Sequence, residues 1–504
     1  MVSNRFRWVF CQLEALQDCL PSSVRRTLKD LPESLDETYE RILREIKRPS
    51  RDHARRLLQC LVVAIRPLYV EELAELLAYD FDATEGGIPK VNPNWRWEDH
   101  EQAVLSTCSS LIAVVSDEGR RVVQFSHFSV KEFLTSSRLA ISGEDVAHHC
   151  ISLELAHTLL AQACLGTLLS LENNAGSDGS SFPLAGYAAR HWVAHAQVDK
   201  VSPRVQAGMQ QLFDPSKTHF SSWIQLNDPD EYLGSIDMPL IDPIAASLYY
   251  AALCGFRELV VHLLIEYPEH VDTFGGGRGA PLHAASALNR VEVAQLLLEG
   301  GGDTDVRGDL KQAPLHFAAM AGHLEMVRFL LDHGADVDSR REDLWTPLHI
   351  AAWNGYANIA QALLEHKADV NFRVDTGWVP LHGGCSHPGV VQVLLEHGAD
   401  VGKKCEDGTT PLHLASSYGS TEVVLLLLDH GTNVDAVDQR GETPLHLAVS
   451  HGRKEVVRLL LDYGANTDAE DERGMAPLQA ALEYGEEEIV QMLTEHGAQL
   501  HREL

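Results

Sequence analysis

Histidine is the side chain with the clearest capacity for chemistry in this sequence, which contains 26 of them among 504 residues. A neutral imidazole nitrogen can ligate a transition metal or move a proton near neutral pH. His191 and His195 lie four positions apart, one turn of a helix, so they could share a metal ion. No glutamate lies between them and no third ligand is nearby. The sequence therefore favours two histidines on a packed helix, and we predict no metal site.

The motifs that organise enzymatic chemistry are missing. There is no His-Glu-x-x-His, no Gly-x-Ser-x-Gly and no Gly-x-Gly-x-x-Gly. The phosphate-binding pattern Gly-x-x-x-x-Gly-Lys-Ser/Thr is also absent, because the glycine–lysine step at Gly402 lacks both the preceding glycine and the following hydroxyl. No carboxylate can be assigned to Mg²⁺. We therefore predict a protein that is not an enzyme, with no catalytic residues and no cofactor.

Most of the other histidines belong to an internal repeat. The tripeptide Pro-Leu-His recurs along the second half of the chain, and a Pro-Leu-Gln variant closes the series, with steps of 33, 33, 33, 31, 33 and 33 residues. A fixed period of about 20–50 residues is the signature of stacked supersecondary units. The prolines of the series are Pro281, Pro314, Pro347, Pro380, Pro411, Pro444 and Pro477. We expect the histidine of each tripeptide to hydrogen-bond backbone between neighbouring units.

The unit that contains Pro347 shows which local structure this pattern predicts. Thr346 can cap a first helical turn, and Pro347 suits that turn because its missing N–H would have no partner there. Ala351 and Ala352 are small enough to let neighbouring units stack closely, and Gly355 ends the helix. Apolar residues at helical spacing then predict a second helix. The Thr-Pro-Leu-His, the paired alanines and the terminal Gly-Ala-Asp of this series resemble the ankyrin repeat.

The resemblance implies a mainly α protein built around an ankyrin-repeat solenoid over residues 241–504. We predict seven units that begin near 277, 310, 343, 376, 407, 440 and 473, numbered here from 1 to 7. The segment 247–255 reads as a degenerate unit that caps the amino-terminal end. Glu486, Glu487 and Glu488 give the last unit the polar surface that an outer repeat needs.

Two departures from the repeat predict local weakness. Lys367 stands where the other units have a glycine after the second helix, such as Gly334 and Gly398, a position that favours a left-handed backbone. Unit 4 is two residues short, with Gly383-Gly384 in place of the paired alanines and Pro388 where its first helix should end. Glycine costs about 1 kcal/mol relative to alanine at a helical position. We therefore predict a soft point in unit 4.

Charge and composition narrow the classes of partner. The net charge is −31, and residues 1–66 carry 13 Lys and Arg against 9 Asp and Glu, so the rest of the chain carries −35. An acidic array is unsuited to binding nucleic acid through phosphates, although basic proteins remain possible partners. The nine cysteines form no paired framework, which indicates reduced thiols. With no long apolar run, we predict a soluble, cytoplasmic or nuclear protein without a membrane span.

The first part of the chain predicts helices followed by a β-hairpin. Apolar residues at helical spacing occur over 6–20, 35–46 and 53–65, with a short helix from Val70. We predict a loop over 80–100 in which Trp95 and Trp97 serve as anchors, then a helix over 98–109. Strands over 111–115 and 121–125 flank an Asp-Glu-Gly turn, and a helix over 129–136 follows. This order predicts a helical segment over 1–50, a winged-helix-like domain over 51–140 and a helical connector over 141–240, with a flexible loop at 173–181.

Three segments carry a second resemblance: Arg7-Trp-Val-Phe-Cys-Gln-Leu-Glu, Leu31-Pro-Glu-Ser-Leu-Asp-Glu-Thr-Tyr-Glu-Arg-Ile-Leu and Phe125-Ser-His-Phe-Ser-Val-Lys-Glu-Phe-Leu. They resemble the part of fungal NACHT–ankyrin proteins, which are signal-transduction NTPases, that follows the nucleotide-binding core. In that family the histidine equivalent to His127 can touch the phosphate of bound ADP. Without the P-loop, we expect this chain to start downstream of the NTPase core. His127 is then either a packed structural residue, which we favour, or a contact with a separate NTPase chain.

Ankyrin arrays usually bind partners through the hairpin tips and the exposed side of the first helix, which together form a concave strip. Trp, Tyr and Arg dominate binding hot spots, and several such residues fall on this strip in adjacent units. The alternative is that Trp345 and Trp378 pack against each other or against the neighbouring tip. The predicted partner-binding residues are Arg340, Arg341, Trp345, Trp353, Asn354, Arg373, Trp378, His387, Tyr418, His451 and Tyr484.

Three hypotheses for function follow. The first is a non-enzymatic scaffold or adaptor that binds a protein partner through the concave ankyrin surface in fungal signalling or in recognition like that of NOD-like receptors. In that setting a separate NTPase of the same class is a candidate partner. The second is a transcription coregulator that docks on a DNA-binding factor without touching nucleic acid itself. The third is the carboxy-terminal part of a longer NACHT NTPase.

Overall fold

The computed structural model describes residues 34–85, 88–108, 110–117, 119–171, 182–230 and 243–498. The chain divides into two compact regions, residues 1–234 and 235–504. The helix predicted over 6–20 and the loop predicted over 173–181 lie outside the described residues. The finer domain boundaries near 50 and 140 remain predictions.

The N-terminal region contains short helices and two small β-sheets. Its elements are α1 (Leu35–Glu45), α2 (Arg51–Val63), β1 (Leu68–Tyr69), α3 (Val70–Leu77), β2 (Tyr79–Glu85), β3 (Ile88–Val91), α4 (His100–Cys108), β4 (Ile112–Asp117), β5 (Arg120–Phe125), α5 (Phe128–Leu134), α6 (Ser137–Ala140), α7 (Glu144–Ala147), α8 (Leu153–Leu169), α9 (Ala185–Ala196), α10 (Ser202–Leu212) and α11 (His219–Leu226).

Helices α2 to α4 and the β4–β5 hairpin form the winged-helix-like part, as the sequence predicts. Strand β5 lies between β1 and β4 and is antiparallel to both, pairing Val123 with Leu68 on one side and with Val114 on the other. Gly119 takes the left-handed conformation that the hairpin turn requires, with φ of +84°. Both Val122 and Val123 are buried, so the middle strand belongs to the core.

The predicted loop over 80–100 is wrong for its first half. Strands β2 and β3 pair antiparallel, with Tyr79 opposite Val91, and Tyr79 is fully buried with its hydroxyl 2.6 Å from Thr167 Oγ1. The predicted anchoring role of the two tryptophans is also wrong, because Trp95 and Trp97 are 43% and 47% exposed. Trp95 ends a short 3₁₀ turn over Pro93–Trp95 whose residues are all exposed, and Trp97 follows that turn.

The described part of the C-terminal region consists of stacked helix pairs. They are α12 (Pro243–Cys254) and α13 (Arg257–Glu266), α14 (Pro281–Ala287) and α15 (Val291–Glu299), α16 (Pro314–Ala321) and α17 (Leu324–Asp332), α18 (Pro347–Trp353) and α19 (Ala357–Glu365), α20 (Pro380–Gly383) and α21 (Pro388–Glu396), α22 (Pro411–Tyr418) and α23 (Thr421–Asp429), α24 (Pro444–Ser450) and α25 (Lys454–Asp462), and α26 (Pro477–Tyr484) and α27 (Glu487–Glu495).

This arrangement confirms the mainly α prediction and the repeating helix pair. Proline begins the first helix of each of units 1 to 7, and Thr346 Oγ1 accepts a hydrogen bond from the His349 amide at 3.5 Å. Gly334 and Gly398 have φ of +87° and +84° after the second helix. Lys367 adopts the same left-handed backbone with φ of +68°, at a cost of roughly 1–2 kcal/mol for a residue with a Cβ.

Polar contacts join each unit to the next. We call the hairpin before each first helix the tip of that unit and the contact region between two units a joint. The repeat histidine usually accepts a hydrogen bond at Nδ1 from the cap amide and donates one from Nε2 to a carbonyl of the next tip, as His316 does to Trp345 at 3.1 Å. The same bridge occurs at His283, His382, His413 and His446. For these histidines, the predicted backbone bond between units is confirmed.

Two further contacts reinforce the joints. A tip amide donates to a carbonyl of the preceding tip, as Glu342 does to Leu310 at 2.7 Å. A side chain just after the second helix of one unit also accepts a backbone amide from the same region of the next unit. The Asp338 carboxylate, for example, accepts the Asp369 amide at 3.0 Å. The array is therefore a series of helix pairs with directional polar contacts at the tips.

Membrane insertion by a helix finds no support in the residues that the structure covers. None of the helices there combines the length with the apolar composition that a bilayer span needs.

Candidate partner-binding surface

The tips of units 3 and 4 position the aromatic residues that the sequence places on the concave strip. In the tip of unit 3 the Arg341 amide donates to the Trp345 carbonyl at 3.2 Å, which closes the hairpin. The Arg341 guanidinium forms two hydrogen bonds to the Asp343 carboxylate, at 2.6 and 2.5 Å. In unit 4 the Val374 amide closes the equivalent hairpin on the Trp378 carbonyl at 3.0 Å. Each hairpin therefore fixes one tryptophan directly before a first helix.

Three tryptophans form one cluster across these two units. The ring of Trp353, at the end of the first helix of unit 3, lies 5.9 Å from that of Trp345 and 6.0 Å from that of Trp378. Offset and edge-to-face ring pairs at such distances are favourable. The alternative that Trp345 and Trp378 pack on each other is wrong, because Trp353 lies between them. We call these three residues the tryptophan cluster.

The tryptophan cluster combines one exposed ring with two partly buried rings. Trp353 is 49% exposed, whereas Trp345 and Trp378 are partly buried. The Arg341 guanidinium lies 5.2 Å from the Trp345 ring centre. Although partial burial acts in the opposite direction, the hydrogen bonds from Arg341 lower the pKa of Asp343 below its ordinary value. The Arg341–Asp343 pair is therefore charged on both sides at neutral pH and neutral overall.

The other predicted residues of units 3 and 4 are engaged locally to different degrees. The Arg340 guanidinium lies 5.8 Å from the Phe372 ring of the next tip, and the Asn354 side chain donates from Nδ2 to the Ile350 carbonyl at 2.9 Å. His387 donates from Nε2 to the Trp353 carbonyl at 3.2 Å. Arg373 is exposed at the tip of unit 4. Of these residues, Asn354 and His387 lie beside Trp353, whereas Arg340 and Arg373 lie on the tips of units 3 and 4.

The remaining predicted residues continue along the later units. Tyr418 and Tyr484 are 44% and 59% exposed at the carboxyl ends of the first helices of units 5 and 7. His451 is exposed in unit 6, and its Nδ1 donates to the Leu447 carbonyl at 2.9 Å. No ring contact joins these three to the cluster within 243–498, a stretch that the structure describes throughout. The strip therefore has one compact centre and separate outlying residues.

Sequence reasoning missed the apolar tip of unit 2. Leu310 is 60% exposed, and both Leu310 and Lys311 have positive φ, at +56° and +57°. Leu344 does the same in unit 3, with φ of +62°, where unit 4 has Gly377. Backbone strain of this kind concentrates at functional sites. The sequence contains a signal for this strain, because units 4 to 7 have a glycine three residues before the proline and units 2 and 3 do not.

The electrostatics of the array favour a cationic ligand. Residues 235–504 contain 18 Lys and Arg against 41 Asp and Glu, a balance of −23. A groove of about 390 Å³ lies beside the unit 2 tip and is lined by Leu310, Arg341, Glu342 and Asp343. Because Arg341 and Asp343 neutralise each other, Glu342 gives this groove a net negative charge.

His127, the histidine with the family-derived expectation, is hydrogen-bonded within the fold. It caps helix α5 by accepting the Ser129 amide at Nδ1, at 3.3 Å. The Ser129 hydroxyl lies 2.6 Å from the same nitrogen and 2.9 Å from the Tyr39 hydroxyl. These contacts give His127 a structural role, whereas contact with a separate NTPase stays a prediction.

His191 and His195 are not brought together as a metal pair. His195 is buried, with Nδ1 2.8 Å from His157 Nδ1 and Nε2 2.9 Å from the Tyr187 hydroxyl. Burial, with His157 and His191 nearby, lowers the pKa of His195 to about 3. His191 instead packs on the Tyr187 ring at 4.7 Å. Among the described residues, no group of three or more His, Cys, Asp or Glu side chains could hold a metal ion.

The chain matches two known families, in separate segments. Residues 282–374, 368–438 and 430–503 match the family described as ankyrin repeats in three copies. Residues 39–144 match the family described as the winged helix domain of GPI inositol-deacylase. The chain therefore carries ankyrin repeats preceded by a winged helix domain. An ankyrin array is typically a non-enzymatic scaffold for protein–protein interaction, and neither match indicates a catalytic family.

One curated relative is the azaphilone pigments biosynthesis cluster protein L of Monascus ruber. It is 31% identical over 279 residues, which cover 52% of this chain and 58% of the relative. Similar solved structures include the ankyrin repeat domain of Bcl-3, described as a unique member of the IkappaB family, with 29% identity and a TM-score of 0.39. Another is the human ASB11 ankyrin repeat domain, with 29% identity and a TM-score of 0.40. Each of these matches covers 44% of this chain and 99% of the other.

Proposed function

We propose that this protein is a non-enzymatic adaptor that binds a basic segment of a protein partner across the concave strip, with the tryptophan cluster as its centre. The observation that carries this proposal is the half-exposed ring of Trp353 between the tryptophans of two adjacent tips. Large aromatic side chains at the middle of an interface supply most of its binding free energy.

The order within the cluster supports a binding role. Trp353 contacts a ring on each side, so little side-chain entropy is left to lose when a partner covers it. The residues around it are polar or charged, which suits the rim of an interface. We expect the partner to place an apolar side chain against Trp353 and to extend toward Tyr418 on one side and Leu310 on the other.

The charge of the array supports a basic partner. With a balance of −23 over residues 235–504, the region attracts cationic segments and repels acidic ones, including nucleic acid. Glu342 beside Leu310 offers a carboxylate next to an exposed aliphatic side chain. A segment that alternates Lys or Arg with Leu, Ile or an aromatic residue therefore fits the strip best.

For the biological setting, we favour fungal signalling related to that of NACHT proteins. The winged helix match over residues 39–144 supports this setting together with the motif resemblance of the N-terminal region. We expect no cofactor and no membrane contact. A separate NTPase of this class is a candidate partner, and the possibility that the chain is part of a longer NACHT NTPase belongs to the same setting.

A second candidate is a regulatory protein of fungal pigment formation, such as a coregulator docked on a basic DNA-binding factor. The relative named for an azaphilone pigments biosynthesis cluster supports the setting of pigment formation, and the regulatory role is part of the proposal. Both candidates use the same surface and differ in the identity of the partner.

Selection of peptides from a randomised display library on the intact chain tests the proposed surface. We expect sequences enriched in Lys and Arg with interspersed apolar residues, and we expect Trp353→Ala to weaken their binding at least tenfold. The matched control is Trp95→Ala, which removes a 43% exposed tryptophan from the N-terminal region and should leave binding unchanged. Acidic consensus sequences, or equal affinity for both variants, would contradict the proposal.

Co-purification from the native cell then distinguishes the two settings. The intact chain is compared with a Trp345/Trp353/Trp378/Tyr418 to Ala variant whose helix content is checked by circular dichroism. A transcription factor lost with the variant supports the coregulator. A receptor-type NTPase lost with the variant supports the NACHT setting.

A further inference from the structure

The joint between units 3 and 4 differs from its neighbours in its polar contacts. The tip amides of units 3, 5, 6 and 7 each donate to a carbonyl of the preceding tip, at 2.7–3.0 Å, but no such bond links Asp375 to Asp343 in this fully described stretch. The histidine bridge is also incomplete here. The Trp378 carbonyl, the counterpart in this joint, lies close enough to oppose the burial that lowers the pKa of His349, but its contact with the buried Nε2 falls outside hydrogen-bond geometry.

Aromatic contacts occupy the place of the missing hydrogen bonds. Trp353 contacts Trp378 of the next tip, and the Arg340 guanidinium lies over Phe372. Ring contacts depend less on direction than hydrogen bonds do, so they tolerate small displacements of one tip relative to the other. At the other end of this joint the Asp338 carboxylate still accepts the Asp369 amide at 3.0 Å. The joint is therefore fixed at one end and held by rings at the other.

Unit 4 itself adds to this contrast. Its first helix, Pro380–Gly383, has four residues and continues as a 3₁₀ turn over Gly384–Ser386. The paired glycines and Pro388 explain the short helix, because glycine is entropically unfavourable in a helix and proline lacks the donor. On its other side, the bridge from His382 to the Thr409 carbonyl is 3.3 Å, longer than the other histidine bridges. The shortest first helix of the described array therefore lies directly beside the joint that lacks the tip bond.

We propose that the joint between units 3 and 4 is a hinge. Its tips part while the Asp338–Asp369 bond holds, and the tryptophan cluster is the contact that closes them. This inference rests on the proposed function in one respect: a partner that covers Trp345, Trp353 and Trp378 together binds the closed joint better than the open one. By linkage, a change that closes the joint raises affinity for that partner.

Hydrogen exchange of the full chain, followed by mass spectrometry, tests the hinge without any partner. In the wild-type protein, we expect amides over 372–386 to exchange at least tenfold faster than those of the equivalent segments of units 5 and 6. Trp353→Ala should accelerate exchange over 372–386 at least tenfold further. The matched control is Tyr418→Ala, which removes a 44% exposed aromatic beside joints that keep their tip bonds. It should leave exchange over 372–386 unchanged.

A second variant, designed to close the joint, still tests the hinge if Trp353→Ala unfolds the array. A Cβ at Gly383 would meet only ordinary contacts, at 3.4 Å or more, whereas one at Gly384 would lie 3.1 Å from Val390. Gly383→Ala should therefore stabilise the short helix and slow exchange over 380–386 roughly fivefold. Uniform exchange along the array, or equal responses to Trp353→Ala and Tyr418→Ala, would overturn the hinge.

The two proposals fail separately. Peptides that do not bind the tryptophan cluster would refute the proposed surface while exchange data still report the hinge. If the cluster binds peptides and Gly383→Ala slows exchange but leaves their affinity unchanged, the link between hinge and binding is wrong.

Discussion

Replacing His316 by glutamine should make the array less sensitive to acid. Glutamine is a matched substitute, since unit 7 carries Gln479 at the equivalent position, where its Oε1 accepts the Ala476 amide at 2.9 Å. His316→Gln therefore keeps the cap contact and removes the titrating ring. It also removes the bond from Nε2 to the Trp345 carbonyl, which is 3.1 Å long.

The magnitude follows from the environment of the imidazole. Burial is the largest cause that lowers the pKa of His316, from 6.5 to about 4, and Arg307 and Arg341 act in the same direction, while its backbone hydrogen bonds act against it. As the pH falls below 6.5, His316 binds a proton in the unfolded chain, whereas in the folded chain it stays neutral until about pH 4. Each pH unit in this window lowers the free energy of unfolding by about 1.4 kcal/mol. Above pH 6.5 the contribution is complete.

The more stable of the two proteins should therefore be the wild type at high pH and the variant at low pH. At pH 7.5 His316→Gln should be about 1 kcal/mol less stable, because it has lost one hydrogen bond. Near pH 6 the two should be equal, and at pH 5 the variant should be about 1 kcal/mol more stable. Burial raises the pKa of Asp272, Asp305 and Asp338, an effect of opposite sign that changes stability only between their raised pKa values and their ordinary ones, and it is the same in both proteins.

Urea unfolding at constant ionic strength, followed by circular dichroism between pH 7.5 and 5, measures this difference. Parallel curves for the two proteins would show that the ring titrates equally in both states and refute the reasoning. A further decrease for the variant at low pH would do the same.

Two substitutions and one reactivity measurement test other parts of the structure. Lys367→Gly should raise the free energy of unfolding by about 1 kcal/mol, because glycine accepts a φ of +68° without strain, whereas an unchanged urea midpoint would contradict this cost. His149→Leu should raise Tm by about 2–4 °C, since neither nitrogen of the buried ring has a hydrogen-bond partner among the described residues, and a lower Tm would argue that the ring is satisfied. Cys60 and Cys164 are buried, which raises both pKa values, that of Cys60 to about 12, so neither should react with a thiol reagent at pH 8 before unfolding.

The array was predictable because its period fixes equivalent positions in each unit. Once Pro347 was placed at the start of a first helix, the left-handed position after each second helix followed, including the strained Lys367. The histidine bridges followed for the same reason. What the period cannot give is the geometry that places the contact between His349 and the Trp378 carbonyl outside the range of a hydrogen bond, since that depends on the packing of the neighbouring tips.

The N-terminal region was less predictable because it has no repeat to average over. The β2–β3 hairpin was missed because Asp80 and Asp82 have a low strand propensity, although they alternate with apolar residues, and because Pro89 lowers the strand signal of the second strand. Trp95 was taken as an anchor because tryptophan is buried on average, a tendency that says little about one residue in a polar loop.

For the candidate surface, the sequence selected the strip but not its internal contacts. Trp345 and Trp378 are equivalent positions in adjacent tips, so mutual packing was the natural alternative. The ring of Trp353 separates them, an outcome set by side-chain directions across a joint that a linear pattern does not contain. Leu310 was missed because tip residues were counted only from units 3 and 4.

Site-specific photo-cross-linking in the native cell tests the central claim most directly. A benzophenone side chain is placed on the strip at Asn354 or Tyr418, or at His333, an exposed position at the end of the second helix of unit 2. We expect the same protein partner, carrying a basic segment, to be covalently attached from both strip positions and not from His333. Attachment from His333 alone, or of unrelated proteins from the two strip positions, would contradict it.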